Sequence, residues 1–159
     1  MTARRGLAIA AGAVATLLVV GARRGPERLS SAHADPAMAL AARATVPPDV
    51  SSLLHRACFD CHSEETVWPW YARVPIGSWV VTRDVERGRK QMNFSRWGQY
   101  NPFDRADMLD KVCERTKKQE MPLRPYTWLH AEARLNDADI DALCRWTDAE
   151  ATRLVNGGT

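Results

Sequence analysis

Five consecutive residues, Cys58-Phe59-Asp60-Cys61-His62, constrain this chain more than any other feature. Two thiols separated by two residues can add across the two vinyl groups of one porphyrin edge. The residue that follows then presents an imidazole to the iron, which takes histidine readily as an axial ligand. Three other chemistries use the same side chains. A thioredoxin-like C-x-x-C needs a βαβ setting, and no strand pattern surrounds the motif. A zinc site needs four ligands at paired spacings, and Cys113 and Cys144 do not form a second C-x-x-C. A disulfide between Cys58 and Cys61 would leave His62 without a role. The spacing therefore predicts one covalent c-type haem, with His62 as an iron ligand.

The chain has 159 residues, 45% of them hydrophobic and 26% charged. That suffices for one apolar core. Six tryptophans are many for this length and suit the enclosure of a flat apolar group. The formal charge of +3 is a property of the start of the chain. Arg4, Arg5, Arg23 and Arg24 stand there without an acid, and removing these four from 22 leaves 18 basic against 19 acidic side chains. No basic stripe points to nucleic acid.

Residues 1–22 read as a targeting segment. Arg4 and Arg5 precede an apolar run from Leu7 to Ala22. At 16 residues it is shorter than the roughly 20 that span a bilayer, and it suits a signal peptide. Val20-Gly21-Ala22 offers a cleavage site, whereas Arg23 and Arg24 directly behind it favour an uncleaved anchor over residues 7–22. Either outcome predicts a periplasmic or periplasm-facing domain, in the second case held at the inner membrane. Residues 23–47, with Pro26, Pro36, Pro47 and Pro48, read as a linker, and 48–155 as the folded domain.

Within that domain the pattern is helical and no strand is evident, so an all-α fold with long loops is expected. Asp49 or Ser51 caps a first helix in which Val50, Leu53, Leu54, Ala57 and Cys58 share a face. A second helix fits Ile76 to Arg87, with Trp79, Val80 and Val85 for packing and Gly88 as its stop. A third fits Phe103–Lys118, with Met108, Leu109, Val112 and Cys113 as its stripe. Residues 89–102 and 119–135 read as loops. The last helix follows a cap at Asn136 or Asp137 and aligns Ile140, Leu143, Cys144 and Thr147.

The iron's sixth position has several candidates. Met38 lies in the linker, Met108 on a packing face, and His55 on the helix that leads into the motif. Met121 precedes Pro122 in a loop, and a thioether ligand suits an electron carrier by raising the reduction potential. The reading favours Met121, with Met92 and His130 as rivals and an open site as the remaining alternative. Trp68, Trp70 and Trp79 are candidates for the haem wall, with plain core packing as the alternative. Tyr71, Arg73, Arg89 and Tyr126 are candidate propionate partners, with a solvated surface role as the alternative. Asn93 and Ser95 are expected to tie down their loop. Cys113 and Cys144 either bridge or remain as two buried thiols.

Beyond the motif, a series of distinct blocks runs along the chain. Cys58–Pro69 reads C-F-D-C-H-S-E-E-T-V-W-P. Trp70-Tyr71, Pro75, Ser78-Trp79, Asp84-Val85 and Gly88-Arg89 follow. Then come Asn93-Phe94-Ser95 with Trp97, Met121-Pro122-Leu123, Tyr126 and His130, and the helix Leu135–Trp146. Over about residues 47–152 this resembles the bacterial haem-binding domain family of exported c-type cytochrome-like proteins. The resemblance implies a single-haem domain, His62 as proximal ligand and Met121 as distal ligand. It also implies a C-terminal helix that crosses the motif-bearing helix near Trp146, as in class I cytochromes c. Met92 departs from the aliphatic residue expected there. The expected function is single-electron transfer to redox proteins of the periplasm, without enzymatic activity. A peroxidase-like enzyme using His130 or Arg124, or a haem-based sensor, are the alternatives. No catalytic triad, paired carboxylate site or phosphate-binding loop is visible.

Overall fold

The structure, a computed structural model, describes residues 34–157 together with Gly12 and Leu29. Among the described residues all regular structure is helical, in the all-α, cytochrome c-like class that the sequence predicts. The α-helices are α1 (Leu40–Arg43), α2 (Pro48–Ala57), α3 (Phe59–His62), α4 (Pro75–Gln91), α5 (Pro102–Lys117), α6 (Arg124–Leu129) and α7 (Asp137–Val155). Short 3-10 turns cover Pro36–Met38, Trp70–Arg73, Phe94–Gln99 and Ala131–Ala133.

The helix starts follow local chemistry. Proline opens α2, α4 and α5, where its missing N–H costs no hydrogen bond. Asn101 accepts from the amide of Asp104 at the head of α5. Asn136 and Asp139 form a reciprocal capping box at the head of α7.

The apolar faces of α2, α5 and α7 meet in one core. It contains Val50, Leu54, Leu109, Leu143 and Leu154, closed by Phe94, Trp97 and Trp146. The Trp146 indole donates to the carbonyl of Thr45 at 3.0 Å, so its one polar atom is satisfied inside the core. Cys113 on α5 and Cys144 on α7 are joined by a disulfide across 31 residues of sequence. Closing a loop of that size stabilises by about 3 kcal/mol in the chain-entropy model.

Several expectations need correction. Helix α4 does not stop at Gly88 but runs through it to Gln91. A side chain at Gly88 would collide with the carbonyl oxygen of Cys61, so the glycine permits close approach of α3 to α4 instead of ending the helix. The buried stripe of α4 is Ser78, Thr82, Val85 and Gly88. Trp79 lies off it, with the Arg83 guanidinium 5.1 Å above its ring. The loop of residues 119–135 contains α6 and a 3-10 turn, and that of 89–102 contains Phe94–Gln99. The stretch read as a linker carries α1, which sends Leu40 into the core.

The expected membrane anchor and its inner-membrane location are also corrected. Among the described residues no helix is long and apolar enough to cross a membrane. Residues 7–22, apart from Gly12, lie outside the described residues, as does the cleavage site. Neither an anchor nor a redox partner protein is carried forward.

Candidate functional site

Helix α2 delivers the motif. It ends where Cys58 leaves helical geometry, and α3 restarts at Phe59. The carbonyl of Cys58 accepts from the amides of Cys61 (3.2 Å) and His62 (2.9 Å), which places the three side chains on a single turn. Both thiols are free. Burial pushes each of them up to about 12, helped for Cys58 by the Cys61 thiol and for Cys61 by Asp60 and Asp84. They are therefore protonated at neutral pH, unlike the activated thiolate of a disulfide oxidoreductase. The disulfide takes Cys113 and Cys144 out of any four-cysteine zinc site.

His62 is held by its own backbone neighbourhood. Its Nδ1 donates to the carbonyl of Met92 at 3.2 Å, because a carbonyl can only accept. That bond fixes the tautomer and leaves the Nε2 lone pair free for a metal. Burial lowers the pKa of the ring against the opposing effect of the Met92 and Gly88 backbone, so the imidazole is neutral, the form that ligates. Phe59 stacks on Phe94, which stands 6.4 Å from the His62 ring. Two unbridged thiols on one turn and a neutral imidazole with Nε2 available fit a covalently attached haem.

The loop behind the motif is closed by polar contacts. Arg89 donates to the carbonyl of Ser63 at 2.7 Å, to Thr66 Oγ1 at 3.0 Å and to the carbonyl of Leu29 at 3.0 Å. Its guanidinium is thus engaged within the chain. Asn93 Oδ1 accepts from the Ser95 amide, and Ser95 Oγ accepts from the Glu64 amide, the loop-tying role expected of both. Glu64 pairs with Arg96 at 2.5 Å.

A second polar cluster joins the motif to residues far along the chain. Tyr126 OH donates to Asp60 Oδ2 at 2.8 Å. The Tyr126 ring stacks on His130 with centroids 4.2 Å apart. His130 Nε2 pairs with Tyr71 OH at 2.8 Å, and its Nδ1 with Glu132 at 3.1 Å. Burial pushes both tyrosines up, reinforced for Tyr126 by the Asp60 bond and for Tyr71 by the Asp60 charge. Tyr126 is accordingly a partner of the motif carboxylate. The part played by Asp60 was not foreseen in the sequence.

The candidate iron ligands lie in different settings. Met92 is 8% exposed and belongs to the core. Met108 packs against that core, and the Met38 sulfur lies 3.5 Å from Arg43 Nη2. Both ring nitrogens of His130 are engaged. Met121 is half-buried at the turn between α5 and α6, its amide donating to the carbonyl of Arg115 at 3.3 Å. Of the three tryptophans, Trp68 is half-buried, Trp70 is 76% exposed and Trp79 is 44% exposed.

Comparison with known proteins adds one match. The model of a family described as a haem-binding domain matches residues 18–149, most of the chain. No curated protein and no solved structure matches it.

Proposed function

The chain belongs to the haem-binding domain family, and we propose that it holds one haem covalently through Cys58 and Cys61, between His62 and Met121, for single-electron transfer. When bound there, haem supplies a one-electron Fe(III)/Fe(II) couple whose potential depends on its axial ligands. The observation that carries this reading is the His62 bond to the Met92 carbonyl beside two free thiols. It orients one imidazole nitrogen before any metal arrives, and it leaves both sulfurs available for thioether bonds.

Met121 is favoured as the second ligand by what its rivals do. Met92 fills the core, and His130 spends both nitrogens on Tyr71 and Glu132. The same occupation of His130 argues against a peroxidase-like enzyme, which needs a distal acid–base group free to move a proton. Arg124, the other candidate for that role, is exposed at the first position of α6.

Two measurements test the proposal. After acid–acetone extraction of the holoprotein, haem should stay with the chain in the wild type and be released from the Cys58→Ser/Cys61→Ser double variant. Haem released from the wild type would refute covalent attachment. The oxidised wild type should show the weak far-red band of methionine-ligated low-spin haem. That band should vanish in Met121→Ala and persist in Met92→Ala. High-spin iron in the wild type would refute the carrier reading and favour the enzyme.

A further inference from the structure

We propose that Asp60, Tyr126, His130 and Tyr71 act as positioning residues, forming a clasp that holds the Met121 segment against the haem motif and governs how firmly Met121 stays on the iron. The inference rests on the reading of Met121 as the second ligand. Its physical basis is the position of Asp60. That residue lies between the two attachment cysteines, so its place is tied to theirs. Its Oδ2 accepts from Tyr126 OH at 2.8 Å, its Oδ1 accepts from the Val67 amide at 2.9 Å, and its carbonyl accepts from Thr66 Oγ1 at 2.7 Å. A single motif residue thereby anchors the segment just after the haem motif and the segment that follows Met121.

The clasp has a second strand. His130 lies against the Tyr126 ring on one side and pairs with Tyr71 on the 3-10 turn Trp70–Arg73. Between Met121 and Tyr126 the chain has little freedom, since Pro122 and Pro125 each fix a backbone angle. On the other side of Met121, the carbonyl of Arg115 accepts from the amides of both Glu120 and Met121. The methionine is therefore bracketed by the end of α5 and by the Tyr126–Asp60 bond. Releasing Tyr126 frees one bracket, and the population in which Met121 has left the iron should rise. An external ligand that binds only that population then gains apparent affinity in proportion.

The test titrates imidazole into the oxidised holoprotein and follows the far-red band. Tyr126→Phe removes only the hydroxyl and should bind imidazole about ten- to a hundredfold more tightly than the wild type, the factor expected for one hydrogen bond to a charged acceptor. Asp60→Asn keeps an acceptor oxygen and should fall between the two. Tyr71→Phe tests the second strand separately, so the proposal stays exposed even if one variant fails to load haem. Amide exchange over residues 121–130 should accelerate in Tyr126→Phe, with residues 137–155 unchanged. Unchanged imidazole affinity in both Phe variants would overturn the clasp, and so would faster exchange without a change in affinity, since that is a purely structural role. If instead the wild type and Met121→Ala bind imidazole alike, the ligand reading itself has failed, a result separable from failure of the clasp.

Discussion

The α5–α7 pair and the motif region are held together by different forces. Between α5 and α7 the contacts are apolar and redundant: Leu109, Leu143 and Leu154 are sealed from solvent, and the disulfide links the two helices. Around α3 the contacts are mostly single polar ties, from Asp60 to Tyr126, from Arg89 to Ser63 and from His62 to Met92. Large apolar side chains just after the motif remain in water, with Val67 and Trp70 each at least three-quarters exposed. The facing sides of α5 and α7 are buried by their own side chains, with Phe103 and Val155 exposed only at the ends of the pair. The other region orients the motif side chains and leaves Val67 and Trp70 uncovered, which suits a family that binds haem.

The largest expected effect lies in the first region. Leu109 is fully buried on α5 within the shared core. Leu109→Ala should cost about 2–5 kcal/mol, the range for a large-to-small change where neighbours collapse only in part. Denaturant unfolding of the haem-free chain measures it. The far-red band of whatever fraction loads haem should be unchanged, because Leu109 makes none of the hydrogen bonds that hold the motif. A cost below about 1 kcal/mol would show that the pair is less tightly packed than its burial implies.

A smaller effect is expected where the regions differ most in kind. At Gly88, alanine would gain up to about 1 kcal/mol of helix propensity in the last turn of α4. The added carbon would also collide with the Cys61 carbonyl, a backbone atom that cannot rotate away. Overpacking of this kind costs about 1–3 kcal/mol, so Gly88→Ala should be neutral to destabilising by about 2 kcal/mol. It should also reduce the yield of covalently loaded protein, since α3 must move for the chain to relax. A stabilised variant with full loading would mean that α3 sits less closely on α4 than described.

The contrast also explains what could be read from the chain beforehand. Apolar periodicity and caps act within a few residues, so α5 and the start of α7 at its Asn136 cap are legible to within about a residue. Helix α2 begins before the cap expected at Asp49 or Ser51, because Pro48 opens it and Pro47 takes the cap position without a side-chain bond. The motif was legible because its chemistry is local. Gly88 was misread because a glycine that ends a helix and one that admits a neighbour look alike in sequence. The clasp left no signal at all. Tyr126 meets Asp60 across 66 positions and His130 meets Tyr71 across 59, and no periodicity encodes such pairings. Likewise the acceptor for His62 is a backbone carbonyl, which any residue at position 92 would supply. Of the methionine at position 92 it is the backbone oxygen, not the sulfur, that makes the contact.

The smallest effect concerns the uncovered surface, and it separates two accounts of that surface. If Trp70 is an ordinary exposed residue, Trp70→Ser should shift the stability of the haem-free and haem-loaded proteins equally, each by less than about 0.5 kcal/mol. If the surface of the motif region is completed by the haem, the haem-free chain should still be nearly indifferent. The loaded protein should then lose about 1–2 kcal/mol, because a partly covered indole contributes stabilisation in proportion to the apolar area removed from water. Parallel denaturant titrations of the two forms give the difference directly, with the α5–α7 core serving as the same internal reference in both. Equal shifts would mean that the exposed tryptophan is not part of the cofactor's surroundings, and the comparison between the regions would then rest on the polar ties alone.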